Sequence, residues 1–93
     1  MKLRIIDYSW GIDRRDGTRH EAKVAEEVFD LNLGPLPPIG PEKKVFKIKD
    51  ILEDKAVVFL SERSGEATLE LGKPYTYRPT SFDGGHYYDL VLE

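Results

Sequence analysis

The chain has 93 residues, 17 acidic and 14 basic, for a net charge of −3, and it contains no cysteine. That length fits one domain with a thin core, burying about 60–65% of the surface that the unfolded chain exposes. The charge balance argues against general nucleic-acid binding, which needs a basic footprint, and the missing thiols exclude disulfides and thiolate zinc sites.

Apolar residues make up 40% of the chain and aromatic residues 11%, as in a globular domain rather than a disordered one. The absence of cysteine fits a reducing compartment. The opening Met1-Lys2-Leu3-Arg4-Ile5-Ile6-Asp7 is interrupted by charge too early for the apolar region of a signal peptide. No apolar run approaches the roughly 20 residues that span a bilayer. The expectation is a cytoplasmic protein.

Residues 2–10, KLRIIDYSW, are rich in β-branched and aromatic types and read as a first strand. Asp16-Gly17 then marks a turn. Residues 19–29 carry two signals. Their good helix formers, with Thr18 and Glu21 at capping-box spacing, allow a short helix with Ala22, Ala25, Val28 and Phe29 on one face. A hairpin over Asp16-Gly17 instead sets Leu3 opposite Leu31, Ile5 opposite Phe29, Ile6 opposite Val28 and Trp10 opposite Val24. Apolar then meets apolar on both faces, which is the pairing that cross-strand packing rewards. The hairpin predicts a long, bent strand and is the preferred reading.

Residues 34–44, GPLPPIGPEKK, hold four prolines in seven positions, which forbids a helix or a central strand and predicts an extended surface loop. Next, VFKIKDI at 45–51 alternates, with Phe46 and Ile48 inward and Lys47 and Lys49 outward. The continuous run AVVFL at 56–60 predicts a strand buried on both faces, with Phe59 in the core and Ile48 opposite it. Turns at Glu53-Asp54 and 62–66 flank it. ATLEL at 67–71, YTYR at 75–78 and residues 86–92 read as further strands. The whole predicts a single all-β domain over residues 1–93, a small antiparallel sandwich or partly open barrel of six to eight strands.

The stretch FDGGHYYD at 82–89 gathers a histidine, two carboxylates and three rings beside two glycines. As a four-residue hairpin loop over 82–85 it pairs Arg78 with Asp89, Tyr77 with Leu90, Tyr75 with Leu92 and Pro79 with Tyr88. Positive φ at the turn accounts for the glycines, Arg78 for Asp89 and the core for Tyr88. Only His86 and Tyr87 are left without a structural role.

Chemistry-bearing patterns are sparse. The two histidines, His20 and His86, lie far apart, and no serine stands in a nucleophile elbow. Adjacent carboxylates such as Glu26-Glu27 point to opposite faces of a strand, and Gly84-Gly85 opens no phosphate loop. No catalytic residue, metal ligand or cofactor is assigned. Binding is better supported. Trp10, Tyr8, His86, Tyr87 and Phe82 are candidate ligand-binding residues as an aromatic platform. Arg14, Arg15 and Arg19 are candidates for holding an anion or acidic partner, balanced against neighbouring Asp13, Asp16 and Glu21. An open sheet edge offers a route to a homodimer or protein partner. The expected function is a non-catalytic interaction or ligand-binding module, with no nucleic acid or membrane partner. A small enzyme or carbohydrate-binding module using aromatic residues and His86 is the alternative.

Overall fold

The computed structural model describes residues 1–79 and 83–93. Eight strands follow in order: β1 (Lys2–Ile12), β2 (Arg19–Asp30), β3 (Gly34–Pro35), β4 (Lys47–Ile51), β5 (Lys55–Ser61), β6 (Gly65–Glu70), β7 (Tyr75–Tyr77) and β8 (Gly84–Leu92). They form two four-stranded antiparallel sheets, sheet A in the order β2-β1-β8-β7 and sheet B in the order β3-β4-β5-β6. The two pack as a β-sandwich, and there is no helix among the described residues. A parallel bridge between Leu71 and Leu92 joins the end of β6 to β8 and closes one edge.

The segment at 19–29 is therefore strand, and the short helix that its composition allows does not form. Pairing with β1 along nearly its whole length satisfies the β2 backbone and overrides helix propensity. The register differs from the expected one: Leu3 faces Phe29 and Ile5 faces Glu27, and a bulge at Val24 sets Tyr8 opposite Lys23. Between β1 and β8 the register runs unbroken from Leu3–Leu92 to Gly11–Gly84.

The core lies between the sheets. Sheet A contributes Leu3, Ile5, Tyr77, Tyr88, Leu90 and Leu92, and sheet B contributes Ile48, Ala56, Val58, Leu60, Ala67 and Leu69. Each fully buried large apolar side chain among them stabilises the fold by roughly 1.5–3 kcal/mol relative to exposure. The proline-rich loop does more than run over the surface. Leu36 and Ile39 from it, with Phe46 just beyond, close the sandwich from one side. Phe46 meets Tyr88 edge-on at 5.4 Å and Tyr77 at 6.1 Å.

Three expectations about packing fail. The run AVVFL is buried on one face only. Ala56, Val58 and Leu60 point inward, while Val57 and Phe59 are half-buried on the outer face of sheet B. Phe59 lies opposite Lys47, and Ile48 faces Val58. Near the C-terminus, Tyr75 faces Leu90, Thr76 faces Asp89 and Tyr77 faces Tyr88, two positions away from the expected register. Asp89 consequently accepts a hydrogen bond from Thr76 Oγ1 at 2.7 Å, and Arg78 lies over the Tyr87 ring at 4.3 Å. Gly84 is already part of β8 rather than of the turn. A Cβ there would lie 2.8 Å from the Trp10 carbonyl oxygen, so its glycine permits a close backbone approach.

At the turn end, the hairpin of β1 and β2 extends past the sandwich. Residues 19–24 of β2 are exposed on both faces, and the molecule measures 49 Å along its long axis by 23 and 22 Å across.

Candidate functional site

Two groupings of side chains depart from what a small sandwich needs. The first is a chain of three ionisable groups. Strand alternation on β1 turns Leu3, Ile5 and Asp7 inward, so a carboxylate occupies the third core position of that strand. Asp7 is 0% exposed. Its Oδ1 lies 2.7 Å from His86 Nδ1, and the other ring nitrogen, Nε2, lies 3.3 Å from Glu42 Oε1. The His86 side chain is 13% exposed and Glu42 59%, so the chain runs from interior to solvent through the imidazole. Asp7 Oδ2 is buried and has no hydrogen-bond partner among the described residues. The Gly40 backbone packs against it so closely that a Cβ on residue 40 would sit 2.0 Å away. Tyr88 stacks beside the imidazole at 6.4 Å. Burial, aided by the charges of Asp7 and Glu42, pushes its phenol far above the usual range and keeps it neutral.

This arrangement supplies an oriented histidine, as catalytic sites do, and among the described residues no nucleophile stands beside its Nε2. Glu42 covers Nε2, where a substrate or nucleophile would have to stand. Among the described residues no cluster of three or more His, Asp or Glu side chains is placed to hold a metal ion. A surface depression, open and of about 270 Å³, is lined by Ser9, Trp10, Gly11, His20, Glu21 and Ala22, without His86. It falls just below the range of ligand-pocket volumes, which begins at about 300 Å³.

The second grouping is the outer face of sheet A. In an antiparallel sandwich that face is solvated and normally polar. Here β1 turns Ile6, Tyr8, Trp10 and Ile12 outward, and its neighbour β8 adds Val91 and Tyr87. Tyr8 and Tyr87 are cross-strand partners and stack at 4.8 Å, with planes 15° apart. Arg78 covers Tyr87, and the Arg19 guanidinium lies 4.8 Å over Trp10. Burial raises the Tyr87 phenol pKa, and the nearby Glu21 charge adds to the shift.

Charge rims the stripe. Arg4 donates to Glu26 at 2.6 Å and to Glu93 at 2.7 Å, and Lys23 donates to Glu26 at 2.8 Å. These hydrogen bonds, Lys23 first and Arg4 next, hold the Glu26 carboxyl below its usual pKa. Arg78 makes no ion pair among the described residues.

Compared with protein families, curated proteins and solved structures, the chain matches none.

The structure thus divides the sequence-derived candidates. Tyr8, Trp10 and Tyr87 share the outer face of sheet A, and His86 lies on the inner face, turned to Asp7. Phe82 lies outside the described residues. The basic candidates are internally balanced: Arg14 pairs with Asp83, Arg15 with Asp13 at 3.5 Å and Arg19 with Glu21 at 2.6 Å. Sequence reading missed Asp7, Glu42 and Gly40. The one available signal was a charged residue at an inward position of β1, following Leu3 and Ile5.

Proposed function

We propose that the chain is a non-catalytic protein-interaction module that docks a partner protein on the outer face of sheet A, along β1. One observation carries the reading: an apolar and aromatic stripe, Ile6, Tyr8, Trp10, Ile12, Tyr87 and Val91, sits on the face that should be polar, inside a charged rim. Such a surface has the anatomy of an interface, with apolar centre and polar border. The charges of the rim favour a partner with an acidic surface. Glu21 and Glu26 are engaged by Arg19, Lys23 and Arg4, whereas Arg78, which lies over the Tyr87 ring, has no carboxylate partner among the described residues and suits one on the incoming surface.

A carbohydrate platform is the weaker alternative. A sugar stacks on an open ring face, and one face of each relevant ring is taken: Tyr87 by Tyr8 and Arg78, and Trp10 by Arg19. Strand addition at the free edge of β2 is also less favoured. That strand carries a bulge and alternating charges, two devices that discourage edge pairing.

The test compares proteins that co-purify with the wild-type chain, with Trp10→Ala, with Arg78→Glu, and with Phe59→Ser on the outer face of sheet B as control. A truncated aromatic anchor costs an interface about 2 kcal/mol or more, over tenfold in affinity. A defined partner should be retained by wild type and Phe59→Ser and lost from both sheet A variants. Partners that ignore Trp10 and Arg78, or specific binding of an oligosaccharide, would overturn the reading.

A further inference from the structure

The contacts of His86 depend on its proton count: Nδ1 is hydrogen-bonded to one carboxylate, and Nε2 lies within ion-pair distance of a second. A neutral imidazole carries one N–H, so it can donate to one carboxylate only, and donating to two requires both nitrogens protonated. Nδ1 faces Asp7 Oδ1 at 2.7 Å and Nε2 faces Glu42 Oε1 at 3.3 Å. Glu42 belongs to the turn 40–43 of the proline-rich loop. The turn is closed at its base by paired backbone hydrogen bonds between Ile39 and Lys44, at 2.9 and 3.0 Å, and tightened by Lys43 N–H donating to the Gly40 carbonyl at 3.1 Å. Lys43 adopts φ 55°, an uncommon conformation for a residue with a side chain. Lys44 is anchored separately, its Nζ donating to the Leu60 carbonyl at 2.5 Å. The tip of the turn therefore rests on two features at the dyad, the Gly40 backbone against Asp7 Oδ2 and the Glu42 carboxylate against His86.

We propose that His86 is a proton-operated latch for this turn: the imidazolium holds Asp7 and Glu42 together, and loss of one proton releases Glu42. The two contacts differ in what replaces them. Asp7 is fully buried, out of reach of bulk solvent, so the Nδ1–H bond is kept. Glu42 is mostly exposed and exchanges its partner for solvent at little cost. The charged and titratable groups around the ring are Asp7 from β1, Glu42 from the turn and Tyr88 from β8 itself. Tyr88 stays neutral in its buried position, so the two carboxylates respond to the imidazole charge. Release uncovers Nε2, its ring still oriented by Asp7, and frees the turn tip to rearrange about Gly40 (φ +73°).

The experiment is an NMR titration of the whole chain from about pH 5 to 8, the interval in which imidazoles generally change charge. It follows the His86 ring and the backbone amides of Gly40, Glu42 and Lys43, in wild type and Glu42→Gln. A His20→Gln variant assigns the two histidine rings. The expected result is one shared midpoint for the His86 ring and the turn amides. In Glu42→Gln the ring still titrates but the turn amides no longer follow it. Turn amides that stay flat while the ring titrates, a ring that does not titrate, or an unchanged coupled response in Glu42→Gln would each overturn the latch.

Discussion

Replacing His86 with alanine tests whether a buried charge is held in this fold. The imidazole is the single side chain that hydrogen-bonds Asp7 among the described residues, and the carboxylate is 0% exposed. Removing one partner of a buried ion pair leaves the other uncompensated and costs about 3–5 kcal/mol. That is a large share of the roughly 5–15 kcal/mol that stabilises a domain. At about 4–8 °C per kcal/mol for a chain this small, the melting temperature should fall by roughly 12–40 °C. Asp7→Ala with His86→Ala removes both charges, so the double variant should be far less damaged than the sum of the singles, with a coupling of about 2–3 kcal/mol. Urea denaturation followed by circular dichroism yields all four corners of the cycle. If His86→Ala costs under about 1 kcal/mol, or if the two singles add within about 0.5 kcal/mol, Asp7 is not an ion held by His86 and the reasoning fails.

Phe46→Ala, which strips the ring packed edge-on against Tyr77 and Tyr88, should cost about 3–5 kcal/mol, whereas Phe59→Ala on the outer face of sheet B should cost well under half of that; thermal melts of the two variants compare them directly. Gly40→Ala combines a left-handed φ of +73° with a Cβ 2.0 Å from Asp7 Oδ2, while Gly17→Ala has the same φ and open space around it. The second should cost only the backbone penalty of about 1–2 kcal/mol, and the first clearly more, in the same denaturant assay. Glu26 titrates below the ordinary glutamate value of 4.5 in the folded chain because Lys23 and Arg4 hydrogen-bond it. A lowered carboxylate pKa contributes stability above about pH 4.5 that is lost as pH falls through the folded value. Melts taken down that range should therefore decline less steeply for Glu26→Gln than for wild type, and less steeply still in 1 M salt, which screens exposed pairs.

The all-β architecture was legible because turn residues punctuate short stretches of β-branched and aromatic side chains, and that pattern is local. Register was not. The expected β1–β2 pairing maximised apolar contacts on both faces, and the observed one sets Ile5 against Glu27 and Ile6 against Glu26. Those positions lie on an outermost strand, where an acidic side chain reaches solvent from either face, so hydrophobic matching carries little weight. The same ambiguity misplaced Phe59. An unbroken apolar run describes a strand buried on two sides equally well as one buried on one side with an apolar exterior. On β1 the apolar parity switches between Ile5 and Ile6, which both sends Tyr8 and Trp10 outward and leaves Asp7 inward. His86 had no role in sequence because its partner is 79 positions away and its third contact comes from a loop.

Trp10 is the chain's one indole, and it sits half-buried near the tip of the projecting hairpin rather than in the interior. Intrinsic fluorescence excited at the red edge therefore monitors the Arg19-capped end of that ribbon, while the near-ultraviolet dichroism of Tyr77 and Tyr88 monitors the packed centre. Should the ribbon fray before the sandwich melts, the two optical signals would separate along a denaturation curve, and the gap between them would measure how independently the arm opens.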